Sequence, residues 1–387
     1  MMLEELRREL EERERDGLRR ARLILEAPQG ARVLIEGRVY LAFCSNDYLG
    51  LANHPALVAA AQEGAARFGV GAGASHLVTG HHAAHHHLER ELAEFTRLPR
   101  ALLFSTGYMA NLGVVSALLG RGDAVFADRL NHASLNDAAL LSRARFTRYT
   151  HGDLEALERQ LSASTAKRKL VATDAVFSMD GDIAELPRLL QLCERHDAWL
   201  LADDAHGFGV LGDRGRGVLE HFATRLPRFD PRIIYMATLG KAAGVFGAFV
   251  AGDQDLVEYL AQRARSYIYT TATPPLLSHA LSRALVLIRE EGWRRERLGE
   301  LVARLRAGAA GLRWPLMPSQ TPIQPLLIGD SGEAVEVSKR LRERGILVPA
   351  IRPPTVPQGT ARLRISLSAG HLPADVDSLL AALREIQ

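Results

Sequence analysis

The chain has 387 residues, 47% of them hydrophobic and 24% charged, with a formal net charge of +3. That length supports a large core and two or three domains, while so small a net charge supplies no basic face of the kind nucleic acid requires. Cys44 and Cys193 stand far apart without metal-ligand spacing, no apolar run is long enough to span a bilayer, and the N-terminus is too charged for a secretory signal; no membrane association and a cytoplasmic location are expected.

The first segment, MMLEELRRELEERERDG, reads as an amphipathic helix. Leu3, Leu6 and Leu10 share one face, and Glu4/Arg8 and Glu11/Arg15 are spaced for i,i+4 pairing. ARVLIEGRVYLAF then alternates on either side of Glu36-Gly37, which predicts a hairpin. From about residue 55 to 290, the runs ALLFS, DAVFAD, KLVATD, AWLLADD, RIIYMAT and FGAFVAG read as strands separated by helical stretches. That alternation predicts a mostly parallel sheet covered by helices on both faces. An arginine-rich helical region follows Pro274-Pro275. The last hundred residues (IQPLLIG, a helix near 333–344, ILVPA, ARLRISL and a final helix) predict a smaller α+β domain. The expected division is an N-terminal helix and hairpin over 1–50, a large α/β domain over 51–290, and a small domain over 291–387.

In open α/β sheets, ligands bind beyond the carboxyl ends of the strands, and three polar clusters fall there. ALLFS leads into TGYMANLG, where Gly107 and Tyr108 would open a helix whose first amides suit a phosphate. AWLLADDAHGFG delivers Asp203, Asp204 and His206 to a strand end; a turn or cap carboxylate is the plain alternative. Lys241, one of only four lysines, interrupts the apolar run IIYMATLGKAAGVFGAFVAG. A lysine there either snorkels to solvent or is desolvated and used as a nucleophile. An Asp and a Lys at neighbouring strand ends, after a phosphate-binding turn, suit a pyridoxal-phosphate pocket.

SNDYLGL (45–51), GYMAN (107–111), DRLNHAS (128–134), VFSMDGD (176–182), DDAHGFGVLG (203–212), TLGKAAG (238–244), YTTATPP (269–275) and AIRPPTVPQGTARLRIS (350–366) occur in this order. Together, over nearly the whole chain, they resemble the α-oxoamine synthases. The resemblance implies the aspartate-aminotransferase-like α/β fold (fold type I), a pyridoxal 5'-phosphate cofactor and C-acyltransferase activity. The IRPPTVP…GTARLR segment most resembles members that join L-alanine to a pimeloyl thioester, with decarboxylation, in biotin synthesis. The acyl donor would be pimeloyl-CoA or a pimeloyl-carrier protein. The alternative is another member such as a glycine C-acetyltransferase, or one with broad acyl-CoA use.

The resemblance also implies roles for individual residues. Lys241 would hold the cofactor covalently and remove the Cα proton, Asp203 would keep the pyridine nitrogen protonated, and His132 would stack on the ring. His206 would bond the cofactor's phenolic oxygen, and Ser178, Thr238, Gly107 and Tyr108 would complete its cradle. Thr270 and Thr271 would reach a partner's phosphate, which implies a homodimer with shared active sites. On the substrate side, Arg352 would take the amino-acid carboxylate beside Thr355 and Asn46, and Arg19 or Arg20 would meet the acyl substrate.

The glycine-rich GVGAGASHLVTG (69–80) resembles the family's substrate loop, except that His76 stands where glycine or arginine is usual. His81, His82, His85, His86 and His87 follow, with 81/85 and 82/86 at the i,i+4 spacing of helix-borne metal ligands. No carboxylate is seen to complete a set, so most of these read as surface histidines and no metal is expected.

Overall fold

The computed structural model describes residues 2–15, 19 and 22–387. Its centre is a seven-stranded sheet in the order Arg100–Phe104, Ala248–Gly252, Ile233–Thr238, Trp199–Asp203, Lys169–Asp174, Ala124–Asp128, Arg145–Tyr149. Ala248–Gly252 runs antiparallel to both neighbours, and the remaining pairings are parallel.

Side chains alternate across a strand, so each strand feeds two cores. Ala101, Leu103, Leu200, Ala202, Ile233 and Tyr235 enter one core, with helices Pro55–Phe68, Ala83–Thr96, Leu186–Arg195 and Pro275–Glu290. Leu102, Phe104, Leu201, Ile234 and Met236 enter the other, under helices Gly107–Leu118, Ala133–Ser142 and Gln254–Arg263. This two-sided burial is why the strands read as continuous apolar runs. The edge strand Arg145–Tyr149 was not among the expected strands; its RFTRY sequence exposes Arg145 and Arg148 and fully buries only Tyr149.

The small C-terminal region places Ala361–Ser366 between Ile323–Gly329 and Ala350–Ile351, antiparallel to both. Helices Ser331–Glu343 and Pro373–Ile386 complete it. The hairpin Arg32–Ile35/Arg38–Ala42 gains a parallel third strand from Ile346–Leu347, so the N-terminal segment and the C-terminal region share a sheet. The region after Pro274 is two helices, Pro275–Glu290 and Trp293–Gly308, separated at Glu291-Gly292. The first helix, Met2–Arg15, buries none of its residues. Among the described residues, no helix is long and apolar enough to cross a membrane.

Candidate active site

Parallel pairing sets Asp174 directly beside Asp203 at the carboxyl ends of adjacent strands, and the next strand ends at Thr238, three residues before Lys241. Across from them, Thr106 caps helix Gly107–Leu118, its hydroxyl accepting from the Met109 amide at 3.1 Å. The unpaired N–H groups of a first helical turn make this end a seat for an anion. Between these elements lies a cavity of ≈ 180 Å³ lined by Gly107, Tyr108, His132, Ser178, Asp203, His206, Thr238 and Lys241, together with Ser134, Asp174, Ala205 and Met236.

Asp203 is held from two sides. Asn111 Nδ2 donates to its Oδ2 at 2.8 Å, and the Ala205 amide donates to Oδ1 at 3.1 Å. Burial raises this carboxyl above its ordinary value, while Lys241 and the Asn111 hydrogen bond pull it back. Asn111 also donates to Ser134 Oγ at 2.9 Å, and that hydroxyl lies 2.8 Å from His132 Nδ1. The Ser134 amide donates to the same nitrogen at 3.3 Å, so Nδ1 is the acceptor and neutral His132 carries its proton on Nε2. Burial lowers the pKa of His132. The His132 amide donates to Asp174 Oδ2 at 3.0 Å, which fixes the backbone of that histidine on the strand end.

A second network starts at the lysine. Lys241 Nζ sits 2.8 Å from His206 Nε2, and His206 Nδ1 sits 2.6 Å from Tyr48 Oη. Tyr48 donates to Asn46 Oδ1 at 3.1 Å. A consistent proton order is Lys241 to His206, His206 to Tyr48, and Tyr48 to Asn46. Burial lowers the Lys241 ammonium to about 8, opposed by Asp203 and Asp174. Burial, with Lys241 and Arg364 nearby, holds His206 well below the usual histidine range. A neutral amine at pH 8 and above is a competent nucleophile and base.

Arg364 closes this network and was absent from the sequence-based set. It is 5% exposed. Its Nε donates to Ser178 O at 2.5 Å and its Nη1 to Ser366 Oγ at 2.7 Å. Longer contacts of 3.3 Å to Asn46 and 3.4 Å to Tyr48 leave donor capacity on the site side. Tyr48, Asn111, Ser134 and Asp174 were also unforeseen.

The other expected residues are placed as follows. Tyr108 lines the cavity, is exposed, and donates to Asp137. Thr238 Oγ1 donates to Gly247 O at 3.0 Å. Thr270 is half-buried and Thr271 exposed, and neither lines this cavity. Arg352 is half-buried and Thr355 exposed, with the Thr355 amide donating to Arg352 O at 3.0 Å. Exposed Arg19 pairs with Glu14, and Arg20 lies outside the described residues. Asp204 serves the scaffold, accepting from the Val218 amide at 2.7 Å and Tyr235 Oη at 2.8 Å.

The loop carrying Ser178 is pinned at several points. Arg364 holds Ser178 O, Arg362 pairs with Asp180, and Ser319 and Thr321 donate to Gly181 O at 3.0 and 2.9 Å. Gly181 has φ 76°, and a Cβ there would lie 2.4 Å from Ile323 O. His151 bridges Asp128 Oδ1 at 3.1 Å and Asp182 Oδ2 at 3.0 Å, and those bonds raise its pKa to about 10. A raised folded-state pKa contributes stability in full below the unfolded value of about 6.5 and loses it as pH climbs through the folded value. The thermal midpoint is therefore expected to fall as pH is raised toward 10, with a shallower fall in His151→Gln. Equal pH slopes in the two proteins would contradict this.

Of the histidine run, His86 and His87 are exposed, His81 and His82 half-buried, and His85 is buried; His76, outside the run, is 8% exposed. A carboxylate does join the group: ligand atoms of His81, His86 and Glu89 lie within 4.8 Å of one another.

Residues 38–383 match the sequence profile of class I and II aminotransferases. The 8-amino-7-oxononanoate synthase of Nitrosospira multiformis is 67% identical over 99% of this chain and 96% of its own length. The chain belongs to the 8-amino-7-oxononanoate synthase branch of the class I and II aminotransferases. The crystal structure of the Francisella tularensis 8-amino-7-oxononanoate synthase aligns with a TM-score of 0.77 at 31% identity, over 89% of this chain and 97% of that one. A serine palmitoyltransferase from S. paucimobilis, solved with a bound PLP–myriocin aldimine, aligns at 0.91 with 29% identity, over 98% and 96%. The cavity of this 8-amino-7-oxononanoate synthase family member fits pyridoxal phosphate by its donor set. It offers a helix N-terminus for the phosphate, an oriented buried carboxylate for a pyridine N–H, and a lysine of lowered pKa for the aldehyde.

Proposed function

We infer that this chain is a pyridoxal-5'-phosphate-dependent C-acyltransferase. It condenses L-alanine with a pimeloyl thioester, releases carbon dioxide and the thiol, and forms 8-amino-7-oxononanoate for biotin synthesis. The observation that carries this reading is the Lys241–His206–Tyr48 network beside Asp203, in a chain 67% identical to a synthase of that name. When bound, the cofactor supplies a protonated pyridine ring that withdraws electrons from the amino acid's Cα.

The residues divide the remaining work. Asp203, fixed by Asn111 and Ala205, keeps a proton on the ring nitrogen. Gly107 and Tyr108 at the helix start, with Ser178 and Thr238, seat the phosphate end. His132 would cover the ring face, and His206 would bond its phenolic oxygen; both line the cavity. Lys241 Nζ would hold the cofactor's aldehyde end and, once freed, would take the Cα proton of alanine. The new bond joins Cα to the acyl carbon as the C–S bond breaks, and the Cα–carboxylate bond breaks as carbon dioxide leaves. Lys241 returns a proton to that carbon.

The alanine carboxylate has two arginines on one segment. We assign its main contact to Arg364, which is buried and tied to Asn46 and Tyr48, and place Arg352 with Thr355 at the mouth as a second cation. Arg19 would meet the acyl donor, carried on coenzyme A or a carrier protein. Thr270 and Thr271, outside the cavity of their own chain, suit a reach toward a partner's phosphate in a cytoplasmic homodimer. In this reading residues 51–290 form the cofactor-binding domain and 291–387 the small one.

Thiol release by the cofactor-loaded protein tests the substrates. L-Alanine with pimeloyl-CoA is expected to exceed glycine with acetyl-CoA by roughly 10–200-fold or more in kcat/KM. Equal or greater rates with the glycine–acetyl pair would overturn the substrate assignment and leave the chemistry in place.

A further inference from the structure

A second cavity, ≈ 350 Å³, lies between the helix Ala83–Thr96 and the strand Arg100–Phe104, and His76, His81, His86 and Glu89 all line it. None of these four belongs to the active-site cavity. Two of them are held so that one ligand atom of each is left over. His76 Nδ1 contacts His81 Nδ1 at 2.9 Å, which engages one ring nitrogen of His81 and leaves Nε2 free to face Glu89 Oε2 at 4.0 Å. The His76 ring is itself fixed by stacking on Tyr267, 4.8 Å away and 10° from parallel. Glu89 Oε1 accepts from the Leu103 amide at 2.9 Å, which leaves Oε2 directed at His81.

His86 stands one helical turn before Glu89, so both side chains share a helix face, and its ring lies edge-on to His81 at 5.8 Å. His85 is excluded by its bonds: its Nδ1 accepts from the His82 amide at 3.0 Å, and its Nε2 meets Thr273 O at 2.8 Å.

We propose that His81 Nε2, His86 and Glu89 Oε2 form a binding site for a first-row divalent transition metal such as Zn²⁺, with water in the fourth position. Two imidazoles and a carboxylate are the donor set such ions take. His76 and the Leu103 amide supply the outer bonds that orient imidazole and carboxylate ligands. The ligand atoms now lie within 4.8 Å of one another, and a tetrahedral ion needs roughly 3.3 Å. His86 is exposed and its ring can turn inward, while His81 Nε2 and Glu89 Oε2, 4.0 Å apart, must draw closer as well. The ion would tie the turn His76–Gly80 and the residue after it to the helix that packs beneath it.

The test uses the full-length, tag-free holoprotein, cleared of metal and titrated with Co²⁺ alone while the visible ligand-field bands are followed; Zn²⁺ then competes. The site predicts one saturable Co²⁺ per chain, displaced by Zn²⁺. His86→Ala, at an exposed position, and Glu89→Gln, which keeps the acceptor for Leu103, should each weaken binding beyond the ~10–100-fold typical of an outer-shell loss. His87→Ala, which removes the neighbouring exposed pair with Glu91, should leave binding unchanged, and Lys241→Ala should as well. Absence of saturable binding, or wild-type affinity in either His86→Ala or Glu89→Gln, overturns the proposal without touching the reading of the active site.

Discussion

Lys241→Ala should abolish turnover of L-alanine and pimeloyl-CoA, with kcat falling by about 10⁴-fold or more, as when one member of a catalytic unit is removed. In the proposed function this amine would both anchor the cofactor and move the Cα proton, a pair of roles no neighbouring side chain duplicates. The other lysines are far from this role: Lys169 Nζ donates to His196 O at 2.6 Å, at the opposite end of its strand from the site. The protein should remain folded. Lys241 is an ammonium of lowered pKa in a buried setting, so its removal relieves a desolvated charge. A thermal midpoint near or above that of wild type, together with lost thiol release, separates chemistry from stability. Turnover within tenfold of wild type would refute the role.

Arg364→Ala should raise the KM for alanine by roughly 30- to 5000-fold, the range for truncating one partner of a buried charge pair, with a smaller effect on the KM for the thioester. Arg364→Lys should recover little, because a single ammonium cannot reproduce the fork that meets a carboxylate at two oxygens. The geometry sets this ranking. Arg364 shares Asn46 and Tyr48 with the His206–Lys241 network and acts electrostatically on both Lys241 and His206. Arg352→Ala should raise the same KM by less. A larger effect at Arg352 than at Arg364 would move the carboxylate to the outer arginine.

Arg364 shows where a sequence stops being legible. In ARLRIS, Arg362 and Arg364 alternate with apolar residues, as outward-facing arginines on a half-exposed strand would. All six residues of that strand are buried. Each arginine is held by groups more than 180 residues away: Arg362 pairs with Asp180, and Arg364 donates to Ser178 O and Asn46 Oδ1. No local pattern announces such partners. Tyr48 is hidden for the same reason, since its partner His206 is 158 residues downstream. Asn111 and Ser134 look like ordinary helix positions until the parallel sheet brings Asp203 to Asn111, whose side-chain amide donates to both Asp203 and Ser134.

Lys241, Asp203, His206 and Gly107 were legible because each breaks an apolar run at a strand's carboxyl end, where an open α/β sheet gathers its ligand site. Strands buried on both faces were legible for their continuity, whereas RFTRY was lost because an edge strand needs no apolar run. The carboxylate beside the histidine run was hidden for a related reason. Helical spacing paired histidines with histidines at i,i+4, while Glu89, three residues after His86 and eight after His81, joins them only once the chain turns at His82 into its helix.

In the proposed function Lys241 is the covalent anchor of the cofactor. Protein loaded with pyridoxal phosphate, reduced with borohydride and digested should carry the pyridoxyl mass on the peptide containing Lys241. Peptides containing Lys167, Lys169 and Lys339 should be unlabelled. Label on any of those three lysines instead, or spread evenly among all four, would contradict the account.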